Sequence, residues 1–164
     1  MTIWKEHDQW KYETFDLDIE PDLFPGFEYV IELWLKKKGD RRLPSWADFD
    51  FRDFKGWHSH IAVTENRYDP YDYRYRLFGS SISELFEVNY TGKWRSSFED
   101  DDEAMAEDWD LEFYEMTSRK MLISRVSGTL YWLKRSHVKL GFMEFPLSDN
   151  GDQVTHGLSF MERL

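Results

Sequence analysis

The chain is organised around one stretch: Tyr71-Asp72-Tyr73-Arg74-Tyr75-Arg76-Leu77-Phe78-Gly79-Ser80-Ser81-Ile82-Ser83-Glu84-Leu85-Phe86. It predicts a strand that runs through Gly79 into a short helix. Strict alternation places Tyr73, Tyr75 and Leu77 on one face of the strand and Arg74, Arg76 and Phe78 on the other. Ser81 and Glu84 match a capping box, and Asn89 can end the helix.

The segments before this stretch predict a leader, a helix and a strand. Residues 1–22 are aromatic and acidic without a clear period, so we expect a leader that packs against the domain or a second copy. Apolar residues repeat at helical spacing over 23–38, and Gly39 can end that helix. Residues 58–65 are rich in Ile, Val and Thr and predict a strand.

The segments after it predict one long helix and three strands. The helix covers 99–120, and its acidic start suits the positive end of the helix dipole. The strands cover 122–133, 138–147 and 153–161, and Asn150-Gly151 is a hairpin signal. Strands joined by such short connections are antiparallel. The sequence therefore predicts an α+β domain over 23–164: a five-stranded antiparallel sheet with helices packed on one face, preceded by the N-terminal helix.

Charge and composition exclude several classes of protein. The formal net charge is −11, whereas nucleic-acid binding needs a basic surface. The basic residues at 36–38 and 41–42 are better explained as partners of the negative end of a helix dipole. The chain has no cysteine, which removes disulfides and thiolate chemistry. No signal peptide and no membrane-spanning run is found, so we expect a cytoplasmic protein without membrane contact.

Four short stretches of sequence, one of them inside the opening stretch, occur in an order that resembles that of a known family. They are Leu43-Pro44-Ser45-Trp46-Ala47-Asp48-Phe49-Asp50, residues 72–80, Tyr90-Thr91-Gly92-Lys93, and Phe145-Pro146-Leu147-Ser148-Asp149-Asn150-Gly151. Together with the order of elements, they resemble the PAS-domain superfamily, and most closely a small family of stand-alone PAS-like bacterial proteins. That family usually has Arg where Trp46 stands and Gly-Thr where this chain has Gly79-Ser80. The resemblance spans residues 29–160 and implies a PAS-like fold and a sensory, ligand-binding or protein-docking module, often dimeric.

The resemblance also implies a ligand pocket between the inner face of the sheet and the helices. Its candidate lining residues are Tyr73 or Tyr75, Arg76, Leu77, Phe86, Trp132, Phe142 and Met143. Arg76 is the polar candidate, because it could bind a carboxylate ligand through two hydrogen bonds. Alternatively, Arg76 is structural and ties the strand to an acidic residue such as Glu84 or Glu144. The sequence leaves open which strand face lines the pocket, and whether the 18% aromatic content surrounds a pocket or fills a core.

No motif predicts catalysis or a bound metal. The chain lacks a Gly-x-Ser-x-Gly elbow, a Gly-x-Gly-x-x-Gly turn and a phosphate-binding loop. His58 and His60 would share a strand face but have no evident third ligand, and the acidic run at 99–103 does not fit an EF-hand. We therefore expect no catalytic residues, no metal site and no cofactor.

Two functional hypotheses follow. In the first, the protein is a stand-alone sensory module that binds a small, largely apolar ligand, forms a homodimer and acts on a signalling protein, since it has no output domain. In the second, it is a protein-interaction or dimerisation module with a filled core. A hydrolase or isomerase would need a cleft that holds groups with strongly shifted pKa values.

Overall fold

Seven strands form one antiparallel sheet in the computed structural model, which describes residues 1–7, 9–98, 109–130 and 134–164. The strands are β1 (Thr2–His7), β2 (Trp10–Phe15), β3 (Ile61–Arg67), β4 (Asp72–Phe78), β5 (Ile123–Leu130), β6 (Arg135–Leu147) and β7 (His156–Arg163). Their order across the sheet is β1-β2-β5-β6-β7-β3-β4. The helices of the described residues are α1 (Glu28–Lys38), α2 (Ser80–Phe86) and α3 (Trp109–Lys120).

The predicted five-stranded sheet preceded by a helix is wrong, because the chain begins with a β-hairpin that belongs to the sheet. β2 pairs with β5 from Trp10 opposite Gly128 to Phe15 opposite Ile123, and β1 pairs with β2. The five strands that the sequence predicts are all present, in antiparallel pairs. Residues 1–15 carry little alternation, so their strand conformation depends on the open edge of β5, which supplies hydrogen-bonding partners.

The helices pack on both faces of the sheet, not on one. On one side, called the α1 face, Trp34 and Ile31 pack with Met143, Phe145 and Phe160. On the other side, called the α3 face, Phe113 of α3 packs on Tyr12 and Ile82 of α2 packs among Ala62, Leu140 and Met161. Alternation along β6 sends odd-numbered residues to the α1 face and even-numbered residues to the α3 face, and both faces are apolar enough to need a cover.

The predicted helix boundaries need two corrections. α1 begins at Glu28, after a 3-10 turn at Pro21–Leu23 and the positive φ of 89° at Gly26. It ends at Gly39 as predicted, and Lys37 in its last turn pairs with Asp53 at 2.7 Å. α2 begins at Ser80, two residues before the start that the predicted Ser81 cap implies, and its C-cap is Glu87, which takes the left-handed conformation expected for Asn89.

Gly79 lies where β4 turns into α2, pressed against the chain before β3. A Cβ added there would lie 2.8 Å from the Ile61 carbonyl oxygen and even closer to the Ser59 carbonyl oxygen. Both contacts are with backbone atoms, which cannot move aside. Glycine is therefore required by close approach at this corner.

A bulge in β4 reverses the predicted facing of part of this strand. Val63 pairs with Leu77 and Thr64 pairs with Tyr75, so Arg76 is an extra residue without an opposite partner. The bulge puts Leu77 in the core under α1, whereas Tyr75 and Phe78 stay together on the α3 face with ring centroids 4.9 Å apart. The predicted grouping of Tyr73, Tyr75 and Leu77 is therefore wrong for Leu77, because a bulge breaks the period of two.

Some predictions fall outside the described residues. The predicted start of the long helix and its acidic run lie in 99–108, and Trp132 lies in 131–133.

Candidate functional site

The middle of the α3 face carries a glutamate surrounded by short side chains. Glu144 of β6 lies opposite Ser124 of β5 on one side and Ser159 of β7 on the other, and Ala62 of β3 follows Ser159. Small residues in the centre of a sheet leave room above it, where large ones would fill the layer. This row forms the floor of a candidate site beneath α3.

Aromatic side chains form the walls above this floor. The ring of Tyr73 lies 5.6 Å from the ring of Tyr75 and 5.6 Å from the ring of Tyr114 on α3. Phe142, two residues before Glu144 on the same face, packs against Phe86 of α2 at 6.0 Å. We call the space bounded by Tyr73, Tyr75, Tyr114, Phe142, Glu144 and Ser159 the Glu144 chamber.

The polar groups of the chamber are shielded from water, yet its walls retain accessible surface. Glu144, Tyr75 and Tyr114 lie deep enough that loss of water raises the pKa of each group. The same three residues, and Phe142, are nevertheless only partly buried. These groups are therefore desolvated, although their neighbours do not cover them completely.

Glu144 has one hydrogen-bond partner for its two carboxylate oxygens. The Ser159 hydroxyl donates to Oε2 at 2.8 Å, and no described residue donates to Oε1. Burial raises the pKa of Glu144 to about 7, and the hydrogen bond from Ser159 opposes this rise only in part. Near neutral pH, Glu144 therefore exists in both protonated and ionised forms.

Gly157 on β7 allows the Glu144 side chain to lie against the floor. An added Cβ would lie 2.7 Å from Thr64 Oγ1 and 2.9 Å from Glu144 Cδ. The Thr64 hydroxyl also accepts a hydrogen bond from the Gly157 N–H at 3.2 Å. The position of the carboxylate therefore depends on a residue without a side chain.

The tyrosines of the chamber are held in their neutral form. Burial raises the pKa of Tyr73, Tyr75 and Tyr114, and the nearby charge of Glu144 adds to the rise at Tyr75 and Tyr114. The Tyr73 hydroxyl donates to Asp110 Oδ2 at 3.2 Å. The Tyr114 hydroxyl has no hydrogen-bond partner within the described part of the chain, so it remains available to a ligand.

One rim of the chamber is held by an ion pair between a loop and α3. Arg95 Nε and Nη2 donate to Asp110 Oδ2 and Oδ1, both at 3.0 Å, and both side chains are largely buried. The Arg95 guanidinium also lies 5.5 Å from the Phe98 ring, which stacks on Tyr90 at 4.1 Å. This bidentate geometry fixes the direction of the loop that carries Phe98.

The same loop is fixed to β4 by a buried aspartate. Asp72 accepts hydrogen bonds from the Ser96 hydroxyl at 2.7 Å, the Ser96 N–H at 3.2 Å, the Tyr73 N–H at 2.9 Å and Arg67 at 2.7 Å. Asp72 is 2% exposed. Four donors compensate for the cost of burying this carboxylate.

The structure brings together about half of the residues that the sequence predicts for the site. Tyr73, Tyr75 and Phe142 line the chamber, and Phe86 contacts Phe142 behind it. Leu77 and Met143 lie in the core of the α1 face. Trp132 lies outside the described residues.

Arg76 lies outside the chamber and offers no support for carboxylate binding there. Its side chain is 57% exposed and pairs with Glu65 at 3.4 Å. The alternative interpretation, a structural arginine paired with an acidic residue, agrees with the pairing to Glu65, although the two examples named from the sequence, Glu84 and Glu144, are not the partner. The bulge at Arg76 turns it toward solvent and Glu65.

Sequence reasoning missed Glu144 as a site residue. One signal could have found it: Glu144 is a lone acid among Leu140, Phe142, Met143 and Phe145 in the middle of a strand. A charged residue in a strand with apolar residues on both faces indicates a special environment. Tyr114 and Ser159 carry no comparable signal, because their roles depend on what lies opposite.

The histidines do not form the pair that strand alternation suggests. His58–His60 is a 3-10 turn before β3, so the two rings do not share a strand face. His58 Nε2 lies 2.8 Å from the Phe51 carbonyl oxygen, and His60 Nδ1 lies 2.9 Å from the Ser59 hydroxyl. Among the described residues, no group of three or more acidic or histidine side chains could hold a metal ion.

A second concavity lies at the surface near the N-terminal hairpin. It has a volume of about 450 Å3 and is open to solvent. Its lining residues are Glu6, Gln9, Trp10, Lys11, Ser127, Gly128 and Lys139. This groove is shallow and mixes charges of both signs, whereas the Glu144 chamber converges on one polar group inside the protein, as ligand sites do.

Comparisons with known proteins found no relative. A scan against models of protein families, a search of curated proteins and a search of solved structures each returned no match. The described part of the chain also contains no helix long and apolar enough to cross a membrane. The function of this protein is therefore inferred from the chemistry of the Glu144 chamber.

Proposed function

We propose that this protein is a sensory module that binds a small molecule in the Glu144 chamber. One observation carries the proposal: Glu144 is desolvated, keeps accessible surface, and leaves one carboxylate oxygen without a described partner. A buried polar group of this kind costs stability unless something pairs with it. A ligand with a hydrogen-bond donor would supply the missing partner.

The floor of the chamber favours ligand binding over a filled core. A sheet that only had to pack against α3 would gain stability from large apolar residues at the positions of Ser124, Glu144 and Ser159. The chain instead has two small polar residues and an acid there. Polar groups that converge in an aromatic pocket are typical of ligand sites.

The proposed signal is a change in how α3 packs on the sheet. Tyr75 belongs to β4 and Tyr114 to α3, so a ligand between them would contact both elements at once. A ligand that binds one packing of α3 more tightly shifts the population toward that packing. A signalling protein or a second copy of the chain would respond to this shift, and the PAS resemblance, which stays a prediction, fits such a role. A cytoplasmic location and the absence of catalysis are further parts of the proposal.

Dimerisation remains a second candidate role, supported by the edge of the sheet. β1 is the outermost strand and pairs only with β2, and it exposes Ile3 to 49%. An open strand edge with an apolar side chain can pair with another chain. Light scattering coupled to size-exclusion chromatography gives the mass in solution, and a monomer at all concentrations would remove this role.

The proposed function is tested by native mass spectrometry on gently purified protein, compared with the same sample denatured. We expect an additional mass that disappears on denaturation. The matched variants are Ser124→Leu, which fills the floor of the chamber, and Ser136→Leu at an exposed position of β6. Ser124→Leu should lose the bound mass and Ser136→Leu should keep it. Equal retention by both variants would contradict ligand binding in the chamber.

A further inference from the structure

We propose that the ligand of the Glu144 chamber is a small organic cation, an amine whose ammonium group pairs with Glu144 while its apolar body lies against the tyrosine rings. The inference rests on the proposed function and adds the chemical class of the ligand. The proposed ligand has the opposite charge to the carboxylate ligand that Arg76 suggested from the sequence.

The charges around the chamber favour a cation. Glu144 contributes a carboxylate, and no described lysine or arginine pairs with it. Arg95, at the rim of the chamber, donates two hydrogen bonds to Asp110. A carboxylate ligand would place a second negative charge beside Glu144 without a counter-charge, which is unfavourable in a site with little water.

The walls of the chamber also suit a cation. Aromatic faces carry negative charge density and attract ammonium groups, and several such faces around one site form an aromatic cage. The Tyr73 ring lies 5.6 Å from the rings of both Tyr75 and Tyr114, and Phe142 on the same face of the sheet supplies a fourth ring. The Tyr114 hydroxyl and Glu144 Oε1, neither of which has a hydrogen-bond partner among the described residues, provide acceptors for the ammonium protons.

An amine compensates for the unfavourable burial of the Glu144 carboxylate better than a neutral hydrogen-bond donor does. A hydroxyl ligand can donate one hydrogen bond to Glu144 but leaves its charge uncompensated. An ammonium group provides up to three donors and the opposite charge. The geometry therefore favours the amine over an alcohol of the same shape.

The test uses three probes of similar shape and different charge: benzylamine, benzyl alcohol and benzoate. Binding is measured by isothermal titration calorimetry and ligand-observed NMR at pH 8, where most of Glu144 is ionised. The variants are Glu144→Gln and, as a control, Glu13→Gln, which alters another buried glutamate on the α1 face. Wild type and Glu13→Gln should bind benzylamine about tenfold more tightly than benzyl alcohol, and Glu144→Gln should lose that preference.

The outcomes separate this inference from the proposed function. If benzyl alcohol or benzoate binds as tightly as benzylamine in the wild type, the cation is excluded while the chamber remains a ligand site. A preference for benzylamine that survives Glu144→Gln would also overturn the inference. If no probe binds the wild type, the inference fails, and the retained mass in native spectrometry decides the proposed function separately.

Discussion

At the scale of single residues, Glu144 dominates the behaviour of the chamber. Its pKa is raised from 4.5 to about 7, so the folded state holds this proton more tightly than the unfolded chain does. The stabilisation is complete below the unfolded pKa and is lost as pH rises through the folded pKa. The tyrosines that face Glu144, namely Tyr71, Tyr75 and Tyr114, have pKa values raised by burial and do not titrate in this window.

The first prediction concerns the variant Glu144→Gln. The wild type should lose up to about 3 kcal/mol of stability between pH 4.5 and pH 8 that the variant keeps. Urea unfolding of both proteins at pH 5 and pH 8 measures the difference, because all other groups titrate alike in the two proteins. Parallel pH profiles would show that Glu144 is not perturbed.

The second prediction concerns the variant Gly157→Ala. The added methyl group meets Thr64 and the Glu144 carboxyl, so we expect about 1–3 kcal/mol of destabilisation and weaker binding of ligand to the chamber. Gly141→Ala is the control, since its Cβ would meet only the side chain of the terminal residue Leu164 at 3.2 Å. Chemical denaturation measures the free energy of unfolding of the two variants. Equal decreases would mean that the lack of a side chain at Gly157 is not needed to accommodate Glu144.

At the scale of elements, the loop of 94–98 connects β4 to the chamber. Asp72 holds it through Ser96, Arg95 holds it to α3, and Trp94 lies beneath two arginines, with Arg67 4.0 Å and Arg74 5.0 Å from its ring. These contacts place Phe98 against Tyr75 and Tyr90. The loop therefore behaves as part of the wall, although its sequence predicts no regular structure.

The third prediction is that Asp72→Ala destabilises the protein by about 2–4 kcal/mol and frees this loop. The variant removes all four hydrogen bonds that Asp72 accepts. Hydrogen exchange followed by mass spectrometry should show faster exchange in 94–98 than in the wild type. Asp50→Ala serves as comparison, because it removes an exposed cap worth about 1 kcal/mol. Unchanged exchange in 94–98 would show that Asp72 does not hold the loop.

At the scale of the whole molecule, the N-terminal hairpin completes the sheet. β2 covers the edge of β5 and contributes Tyr12, whose ring packs on Phe113 of α3 at 5.1 Å. Trp10 donates from its indole nitrogen to the Thr129 carbonyl oxygen at 3.1 Å. The hairpin therefore supports α3, and through α3 it supports the wall of the chamber.

The fourth prediction is that removal of residues 1–16 lowers the midpoint of thermal unfolding and promotes self-association. The truncation exposes the backbone of β5 and the apolar surface beneath Tyr12, and open strand edges pair with other chains. A truncation of residues 1–7 leaves β2 paired with β5 and should have a much smaller effect. Calorimetry and light scattering measure both properties, and similar results for the two truncations would contradict this role of β2.

The sequence alone was sufficient for the local elements of the fold. Alternation, helical spacing and turn residues predicted five strands near their observed positions, the end of α1 at Gly39 and the turn at Asn150-Gly151. These features depend on neighbours along the chain, which the sequence contains directly. Tyr73, Tyr75 and Phe142 were named as pocket candidates by the PAS resemblance, not by these local patterns.

The tertiary structure alone decided how these elements meet. The hairpin of residues 1–15 forms because the edge of β5 needs a partner, and the bulge at Arg76 moves Leu77 to the other face. Glu144 becomes a candidate binding group only because Ser124, Ser159 and Gly157 lie beside it, and Tyr114 lies across from it on α3. Contacts between residues far apart in the chain determine how deeply Glu144 is buried. That burial raises the pKa of Glu144 and leaves its Oε1 without a described partner. No local pattern could therefore have revealed this chamber.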